Sequence, residues 1–173
     1  MKIIEKGENA DILYLDFSKA FDKVDVGLLS HRLKQMGISG QVGKWLIDFL
    51  TDRVQNVVAN GKKGPDSIVR SGVSQGTILG PILFLIIIQS LDDLELSSVI
   101  ASFADDTKVL RKVNSLEDVE DMQADLDKLY EWETQNNMLF NISKFKWLQL
   151  GKNTVLKNEY CYMSEHRLPN SPI

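Results

Sequence analysis

The stretch VIASFADDTKVLRKV, residues 99–113, predicts a β-hairpin that carries two carboxylates at its tip. Apolar and β-branched residues dominate residues 99–103 and 107–113, two runs of strand length on either side of Asp105 and Asp106. So short a connection makes the two strands antiparallel neighbours. An aspartate pair is also common in ordinary turns, so the pair by itself does not indicate a site.

The sequence on both sides of this hairpin supplies further strands and helices. Residues 12–16 form a short apolar run that ends in Asp16, which is typical of a buried strand, and residues 146–150 form a closing strand. Helical spacing of apolar residues, together with capping signals, predicts helices at 28–36, 42–50, 78–91 and 115–136. A second hairpin is expected from strands 55–59 and 67–71 across Asn60-Gly61. This order predicts an α+β fold, an antiparallel sheet with helices packed on one face.

Composition indicates one ordinary intracellular domain. The chain has 173 residues, of which 43% are hydrophobic and 25% charged. The longest apolar run, residues 82–88, is far below the roughly 20 residues of a membrane span, and one cysteine cannot form an internal disulfide. We therefore expect a location in the cytoplasm or nucleus and no membrane partner. The net charge of −4 argues against nucleic-acid binding mainly through a basic surface.

Three carboxylates are expected at strand ends of one sheet: Asp16, Asp105 and Asp106. Aspartate oxygens without histidine or cysteine select hard cations, and Mg²⁺ prefers a few carboxylates together with water and phosphate. Two such ions would serve phosphoryl transfer. Spacing alone does not separate these three residues from the other aspartates of the chain, such as Asp22, Asp25, Asp92 and Asp93.

Four segments resemble motifs A to D of LINE-type (non-LTR) reverse transcriptases, closest to the jockey-like group. In order, they are YLDFSKAFDKVD (14–25), SGVSQGTILGPILF (71–84), SFADDTKVL (102–110) and NNMLFNISK (136–144). Four ordered motifs are far more specific than any one of them. The resemblance implies a reverse-transcriptase palm over residues 11–151. It further implies that residues 1–10 are a remnant of the fingers and that residues 152–173 are a poorly ordered tail where the primer-grip region starts.

The resemblance also assigns the acidic residues. It implies that Asp16 and Asp105 bind two catalytic Mg²⁺ ions, with Asp106 as the third carboxylate and Mn²⁺ as a possible substitute. Lys144 matches the motif D lysine, whose implied role is to protonate the departing pyrophosphate.

Four further residues match nucleotide-binding positions of the family. Phe21 matches the aromatic gate that excludes a 2′-hydroxyl, Gln75 and Gly76 match the loop beside the nucleotide, and Phe17 follows the first metal ligand. The sequence departs from the family at Ser74, where proline is usual. Further departures are Val26, where a histidine is expected, and residues 89–91, where Asn-Asp-Leu is expected.

The expected function is that of an RNA-directed DNA polymerase palm from a mobile element. Its partners would be an RNA template with a DNA primer and deoxynucleoside triphosphates. We expect the fingers and thumb of a longer polyprotein to be largely missing, so that the isolated chain polymerises weakly or not at all. The alternative is an inactive relic or adopted fragment that acts as a binding module. A nucleotidyl cyclase would need a Gly-Gly-Asp-Glu-Phe type turn, which residues 103–106 do not supply.

Overall fold

The computed structural model describes residues 8–103, 106–151 and 160–162, together with the backbone of residues 166–167. The chain forms two compact units. The first comprises residues 1–18 and 90–173, and the second comprises residues 19–89. Among the described residues, none of the helices combines the length and the hydropathy that a membrane crossing requires.

The elements are numbered in chain order. The strands are β1 (Ala10–Asp16), β2 (Arg53–Gln55), β3 (Val58–Ala59), β4 (Lys62–Lys63), β5 (Ser67–Val69), β6 (Val99–Phe103), β7 (Asp106–Lys112), β8 (Lys146–Leu150), β9 (Cys161–Tyr162) and β10 (His166–Arg167). The α-helices are α1 (Ala20–Lys23), α2 (Val26–Gln35), α3 (Gly40–Leu50), α4 (Leu79–Ile88) and α5 (Leu116–Asn136). Short 3₁₀ helices cover Gln89–Asp93 and Ile142–Lys144.

The first unit contains an antiparallel sheet of four strands in the order β6-β7-β1-β8. Leu13 on β1 lies opposite Val109 on β7 and Trp147 on β8, and all three side chains are buried. Because side chains alternate along a strand, the next position belongs to the other face, where Tyr14 lies opposite the exposed Lys108. The predicted antiparallel sheet is confirmed, and the face that carries Leu13, Val109 and Trp147 lies in the core.

Helix α5 covers the buried side of this sheet. It contacts β7, and its Trp132 ring lies 6.0 Å from the ring of Phe17. Its apolar stripe is fully buried at Met122, Leu126 and Leu129. The predicted helix is therefore confirmed, and it packs on one face of the sheet as expected.

The start of α5 also agrees with the prediction, since Ser115 and Asp118 form a reciprocal capping box. The carboxylate of Asp118 accepts the backbone N–H groups of Asn114 and Ser115. The Asn114 bond is the main reason that the pKa of this carboxyl is lowered.

The second unit is built from helices α1 to α4 and two small ribbons. Helix α4 contacts α1 and α2, and α2 also contacts α3. The core of this unit is apolar. Helices α2, α3 and α4 contribute most of its buried side chains: Leu29, Leu33, Leu46, Leu50, Leu83, Phe84, Ile87 and Ile88.

The second predicted hairpin differs in detail from the expectation. Instead of two continuous strands, β2 pairs with β5 and β3 pairs with β4, so the ladder is interrupted in the middle. Asn60 and Gly61 form the turn with positive φ at both positions, as the Asn-Gly signal predicts. Pro65 lies in the interruption and has no N–H for a ladder bond.

Two other differences concern short or isolated segments. Helix α1 has four residues, too few to produce a periodic pattern, and it was not predicted. Tyr160 and Tyr162 lie in the segment 152–173, which was expected to be poorly ordered, yet both side chains are buried. Apart from 160–162 and the backbone of 166–167, that segment lies outside the described residues, and the proposed domain boundaries stay predictions.

Candidate active site

The site begins where β1 ends and β7 starts. Asp16 is the last residue of β1, Asp106 is the first of β7, and the two are direct partners in the antiparallel register. Opposite residues of such a pair have Cβ atoms about 4.5–5.5 Å apart, and like charges in this position destabilise a sheet. Two carboxylates placed side by side at the ends of neighbouring strands therefore favour a bound cation.

Lys144 provides one positive charge beside these carboxylates. Its Nζ donates to Oδ2 of Asp16 at 2.5 Å, while the lysine side chain stays 60% exposed and the aspartate 16%. The segment before the lysine is fixed to the end of β1, because the N–H of Asn141 donates to the Asp16 carbonyl at 2.6 Å and that of Ser18 donates to Leu139 at 2.8 Å. The fold thus brings motif D to motif A within the first unit.

A cleft of about 670 Å³ opens at the same place. Its lining includes Tyr14, Asp16 and Asp106 from the sheet and Lys144, Lys146 and Trp147 from the last segment of the sheet unit. The lining therefore contains two acidic residues and two lysines. A metal-bound phosphate group would meet both kinds of charge.

The donor set fits a hard divalent cation. Both carboxylates offer oxygen atoms, which are the ligands that hard divalent cations prefer. The Lys144 ammonium is already paired with Asp16 as its counter-charge. Within the described part of the chain, no three His, Cys, Asp or Glu residues come together as a metal cluster. Asp105, the third predicted ligand, lies outside the described residues.

The Phe17 ring lies in the core, whereas a ring that binds a nucleotide must be accessible to it. Its side chain is 3% exposed and stacks on Phe140 with ring centroids 4.3 Å apart. The ring is a core residue that joins β1 to the segment after α5. A nucleotide-binding role for Phe17 stays a prediction.

Phe21, Gln75 and Gly76 belong to the second unit, where motif A and motif B contact each other. The Phe21 ring stacks on Phe84 at 4.8 Å, and its carbonyl accepts the N–H of Val73 at 2.7 Å. Gln75 Nε2 donates to Oδ1 of Asp22 at 3.1 Å. The predicted gate and the predicted nucleotide loop are thus held by one network.

Two glycines of the motif B segment serve different purposes. Gly72 has φ of +86°, and an added Cβ would lie 2.6 Å from the Phe21 carbonyl oxygen, so both the backbone angle and the close approach require glycine. Gly76 has φ of +78° with nothing within 4 Å of an added Cβ. At Gly76 only the backbone angle requires glycine, and space for a ligand remains beside it.

Sequence reasoning missed Arg53 and Asp22, which hold the motif B loop. Asp22 was considered only as one of several equivalent aspartates. Arg53 contacts residues 18 to 21 positions later in the chain. No local periodicity or motif signals such a contact, because it arises only when β2 pairs with β5.

The sequence matches the family described as reverse transcriptase (RNA-dependent DNA polymerase) over residues 2–162. It is 30% identical over 152 residues to an RNA-directed DNA polymerase from the mobile element jockey of Drosophila funebris, covering 83% of this chain and 16% of that protein. It is 31% identical over 86 residues to a Pol polyprotein of the type-1 retrotransposable element R2 of Popillia japonica, covering 50% of this chain and 14% of that protein. The chain thus spans less than one fifth of the length of these relatives.

Solved structures agree on the fold. The chain superimposes on apo telomerase from Candida tropicalis, truncated of its C-terminal domain, with a TM-score of 0.63 at 11% identity, over 93% of this chain and 35% of that one. Telomerase from Candida albicans in complex with a TWJ fragment of telomeric RNA gives a TM-score of 0.63 at 12% identity, over 93% of this chain and 30% of that one. At this identity the likeness supports a palm-like α+β fold alone.

Proposed function

Because this chain belongs to the reverse transcriptase (RNA-dependent DNA polymerase) family, we propose that it supplies the catalytic palm of an RNA-directed DNA polymerase of a jockey-like mobile element. The reaction is attack of a primer 3′-hydroxyl on the α-phosphorus of a deoxynucleoside triphosphate, with release of pyrophosphate. The template is RNA and the primer is DNA. The names of the similar proteins, all RNA-directed polymerases or retrotransposon polyproteins, support this choice.

One observation carries the proposal: Asp16 and Asp106 lie opposite each other where β1 ends and β7 begins. Together with Asp105 they would hold two divalent cations, which we propose to be Mg²⁺ with Mn²⁺ as a substitute. When bound, such ions lower the pKa of the attacking hydroxyl and neutralise charge on the phosphates. The chain's own part is to fix the carboxylates by strand pairing, so that no reorganisation is needed during the reaction.

Lys144 is proposed as the proton donor to pyrophosphate. In the structure its ammonium is bound to Asp16, so a cation at the carboxylate would compete with it and direct it toward the cleft. A proton delivered from the ammonium to the leaving group would neutralise charge as the bond to the α-phosphorus breaks. Its exposed position leaves the side chain room to move.

The second unit is proposed to select the nucleotide. Phe21 would act as a steric gate, since a flat ring under the sugar excludes a 2′-hydroxyl by contact rather than by hydrogen bonding. Stacking on Phe84 keeps that ring in one orientation. Gln75 and Gly76, both exposed, would lie against the incoming nucleotide.

The test is extension of a DNA primer on an RNA template by the purified chain, with and without Mg²⁺. Asp16→Asn and Asp106→Asn should each lower extension by at least about 100-fold, because loss of a direct ligand should exceed the 10- to 100-fold cost of losing a residue behind the ligands. Asp92→Asn, at another exposed aspartate of the same unit, is the matched control and should retain activity. Equal extension by Asp106→Asn and wild type would refute the site.

Because the isolated chain is expected to polymerise weakly or not at all, absence of extension from folded wild type would leave catalysis to a longer protein. It would favour the binding-module alternative for this chain by itself. Binding of the RNA–DNA hybrid would then be measured on the same protein. Hybrid binding without extension would leave the chain as a binding module, and absence of both would remove the polymerase proposal for it.

A further inference from the structure

We propose that Arg53 is a positioning residue for the nucleotide loop, residues 71–76, and that its guanidinium sets the conformation in which Gln75 and Gly76 receive the deoxynucleotide. This inference rests on the proposed polymerase function. It adds a residue that lies outside the four sequence motifs. Arg53 is the first residue of β2, on the strand that pairs with β5 just before the loop.

The guanidinium makes four hydrogen bonds, and three of them reach the loop. Its Nη2 donates to the carbonyls of Ser71 at 3.1 Å and Gly72 at 2.5 Å, and its Nη1 donates to the hydroxyl of Ser74 at 3.1 Å. Its Nε donates to the carbonyl of Leu50 at 2.9 Å. One planar group thus connects the end of α3 to both sides of the Gly72 turn.

Other hydrogen bonds also restrain the backbone of this turn. Gly72 holds φ of +86°, its N–H donates to the Val24 carbonyl at 2.8 Å, and the next N–H donates to Phe21. Ser71 Oγ donates to the Asp22 carbonyl at 2.8 Å. The backbone of residues 71–73 is therefore fixed on the motif A side by main-chain bonds and on the opposite side by Arg53.

Contacts on both sides of Ser74 order the residue before Gln75. A serine does not restrict its own φ as a proline ring would, so its conformation depends on its partners. Its hydroxyl accepts a bond from Arg53 Nη1 at 3.1 Å, and its carbonyl accepts one from Thr77 Oγ1 at 2.8 Å.

Geometry rather than charge should matter at position 53. Arginine presents five N–H groups in a fixed planar fork, and four of them are used here on acceptors that lie in different directions. Lysine keeps the positive charge but offers its donors from a single atom. Arg53→Lys therefore separates the bridging role from a general attraction of phosphate.

The experiment uses the full chain with two measurements on each variant. Hydrogen exchange of residues 72–77 reports the order of the loop without any nucleotide. Anisotropy of a fluorescent deoxynucleoside triphosphate with Mg²⁺ reports its affinity. Arg70→Lys is the matched control, since Arg70 is an exposed arginine of the same ribbon region.

We expect Arg53→Lys to speed exchange in residues 72–77 and to weaken nucleotide affinity by about tenfold, because apparent affinity falls with the fraction of competent loop. Arg70→Lys should change neither. Ser74→Ala removes one of the four bonds and should show a smaller change in the same direction, and it keeps the test open if Arg53→Lys does not fold.

Three outcomes are decisive. Unchanged loop exchange in both Arg53→Lys and Ser74→Ala overturns the positioning role, whatever the chain does with nucleotides. Faster exchange with unchanged nucleotide affinity overturns the link to the nucleotide. Absence of nucleotide binding by wild type refutes the proposed function and the nucleotide part of this inference together. It differs from the first two outcomes because it is seen in wild type, without any substitution.

Discussion

The ion pair between Lys144 and Asp16 joins a candidate proton donor to a candidate metal ligand. For Lys144→Gln we expect the free energy of unfolding to fall by less than about 1 kcal/mol, because the lysine is largely exposed and such pairs are weak. Primer extension should fall by about 100-fold if the ammonium protonates pyrophosphate. Urea unfolding and extension assays on the same preparation measure both.

Lys146→Gln is the control for this substitution, since Lys146 is another exposed lysine of the same cleft, two positions further along the chain. It removes the same charge without touching the Asp16 contact. An equal loss of extension in Lys146→Gln would mean that the cleft needs positive charge in general and not a proton donor at position 144.

Gly72 and Gly76 allow steric contact and backbone strain to be measured separately. Both have positive φ, which costs an L-residue roughly 1–2 kcal/mol, but only at Gly72 would a Cβ meet backbone atoms, at 2.6 and 2.7 Å. We expect Gly72→Ala to lower the unfolding free energy by clearly more than Gly76→Ala in urea titrations. Equal losses would show that the backbone can move away from Phe21.

Single residues also show the limits of reading this sequence. The motifs identified Asp16, Asp106 and Lys144, and the structure brings these three together. Spacing could not distinguish them from Asp92, because the distance between strand ends depends on sheet order, which is a tertiary property. The motif did not indicate the burial of Phe17, which follows from alternation along β1 because the next position places its ring on the core side.

At the scale of elements, α5 carries a buried acid whose ionisation affects stability. Glu133 is buried and accepts the N–H of Phe140 at 2.8 Å. Burial raises the pKa of its carboxyl above the ordinary value of 4.5, and the bond from Phe140 opposes this shift. The folded chain then binds this proton more tightly than the unfolded chain.

The sign of the effect follows from that difference. The contribution of Glu133 to stability is fully present below pH 4.5 and is lost as the pH rises through the folded-state pKa. Glu133→Gln keeps a side-chain oxygen for Phe140 and should flatten the pH dependence of the unfolding free energy above pH 4.5. Urea unfolding between pH 4 and 8, compared with the exposed Glu131→Gln, measures the change. An unchanged pH profile in Glu133→Gln would contradict this assignment.

The elements themselves were predicted to different degrees. Helix α5 was predictable because its capping box and apolar stripe are local, and the strands 146–150 and 99–103 were recovered for the same reason. The β2–β5 and β3–β4 ribbons were predicted as one continuous hairpin, and the interruption between them was not, since the Asn60-Gly61 turn fixes only the nearest pairs. A side-chain bond from Asn56 to Asp66 at 3.1 Å spans the interruption instead of a ladder.

At the scale of the whole molecule, two tyrosines close the core of the first unit. Tyr160 and Tyr162 are almost completely buried, and the Tyr160 hydroxyl donates to Oδ2 of the buried Asp11 at 2.7 Å. Burial and the neighbouring carboxylate raise the pKa of the Tyr160 phenol far above its usual value, so it stays protonated and donates. The contact links a segment beyond the four motifs to β1.

Tyr160→Phe removes one partner of this buried bond and leaves a carboxylate without that donor. We expect the unfolding free energy to fall by about 1–3 kcal/mol. A chain shortened to residues 1–151, the predicted palm boundary, should lose more, because both aromatic side chains leave the core. Urea unfolding of the three proteins gives the order, and equal stability of the short and full chains would show that the boundary at 151 is a true domain end.

The net charge of −4 limits how the whole molecule could bind nucleic acid. Binding would have to occur where metal ions and a few lysines gather, and not on a broad basic surface. The lysines that line the cleft, Lys144 and Lys146, lie beside the carboxylates and not on a separate basic surface. Their placement depends on strand register, which the overall composition does not contain.

Mn²⁺ binding to the full chain, read from the loss of the free-ion EPR signal, tests the two-carboxylate site most directly, because it needs neither template nor primer. We expect wild type to bind Mn²⁺ and Asp16→Asn and Asp106→Asn to bind it at least about tenfold more weakly, with Asp92→Asn unchanged. Equal Mn²⁺ affinity in wild type and Asp106→Asn would contradict the assignment of the metal site to the ends of β1 and β7.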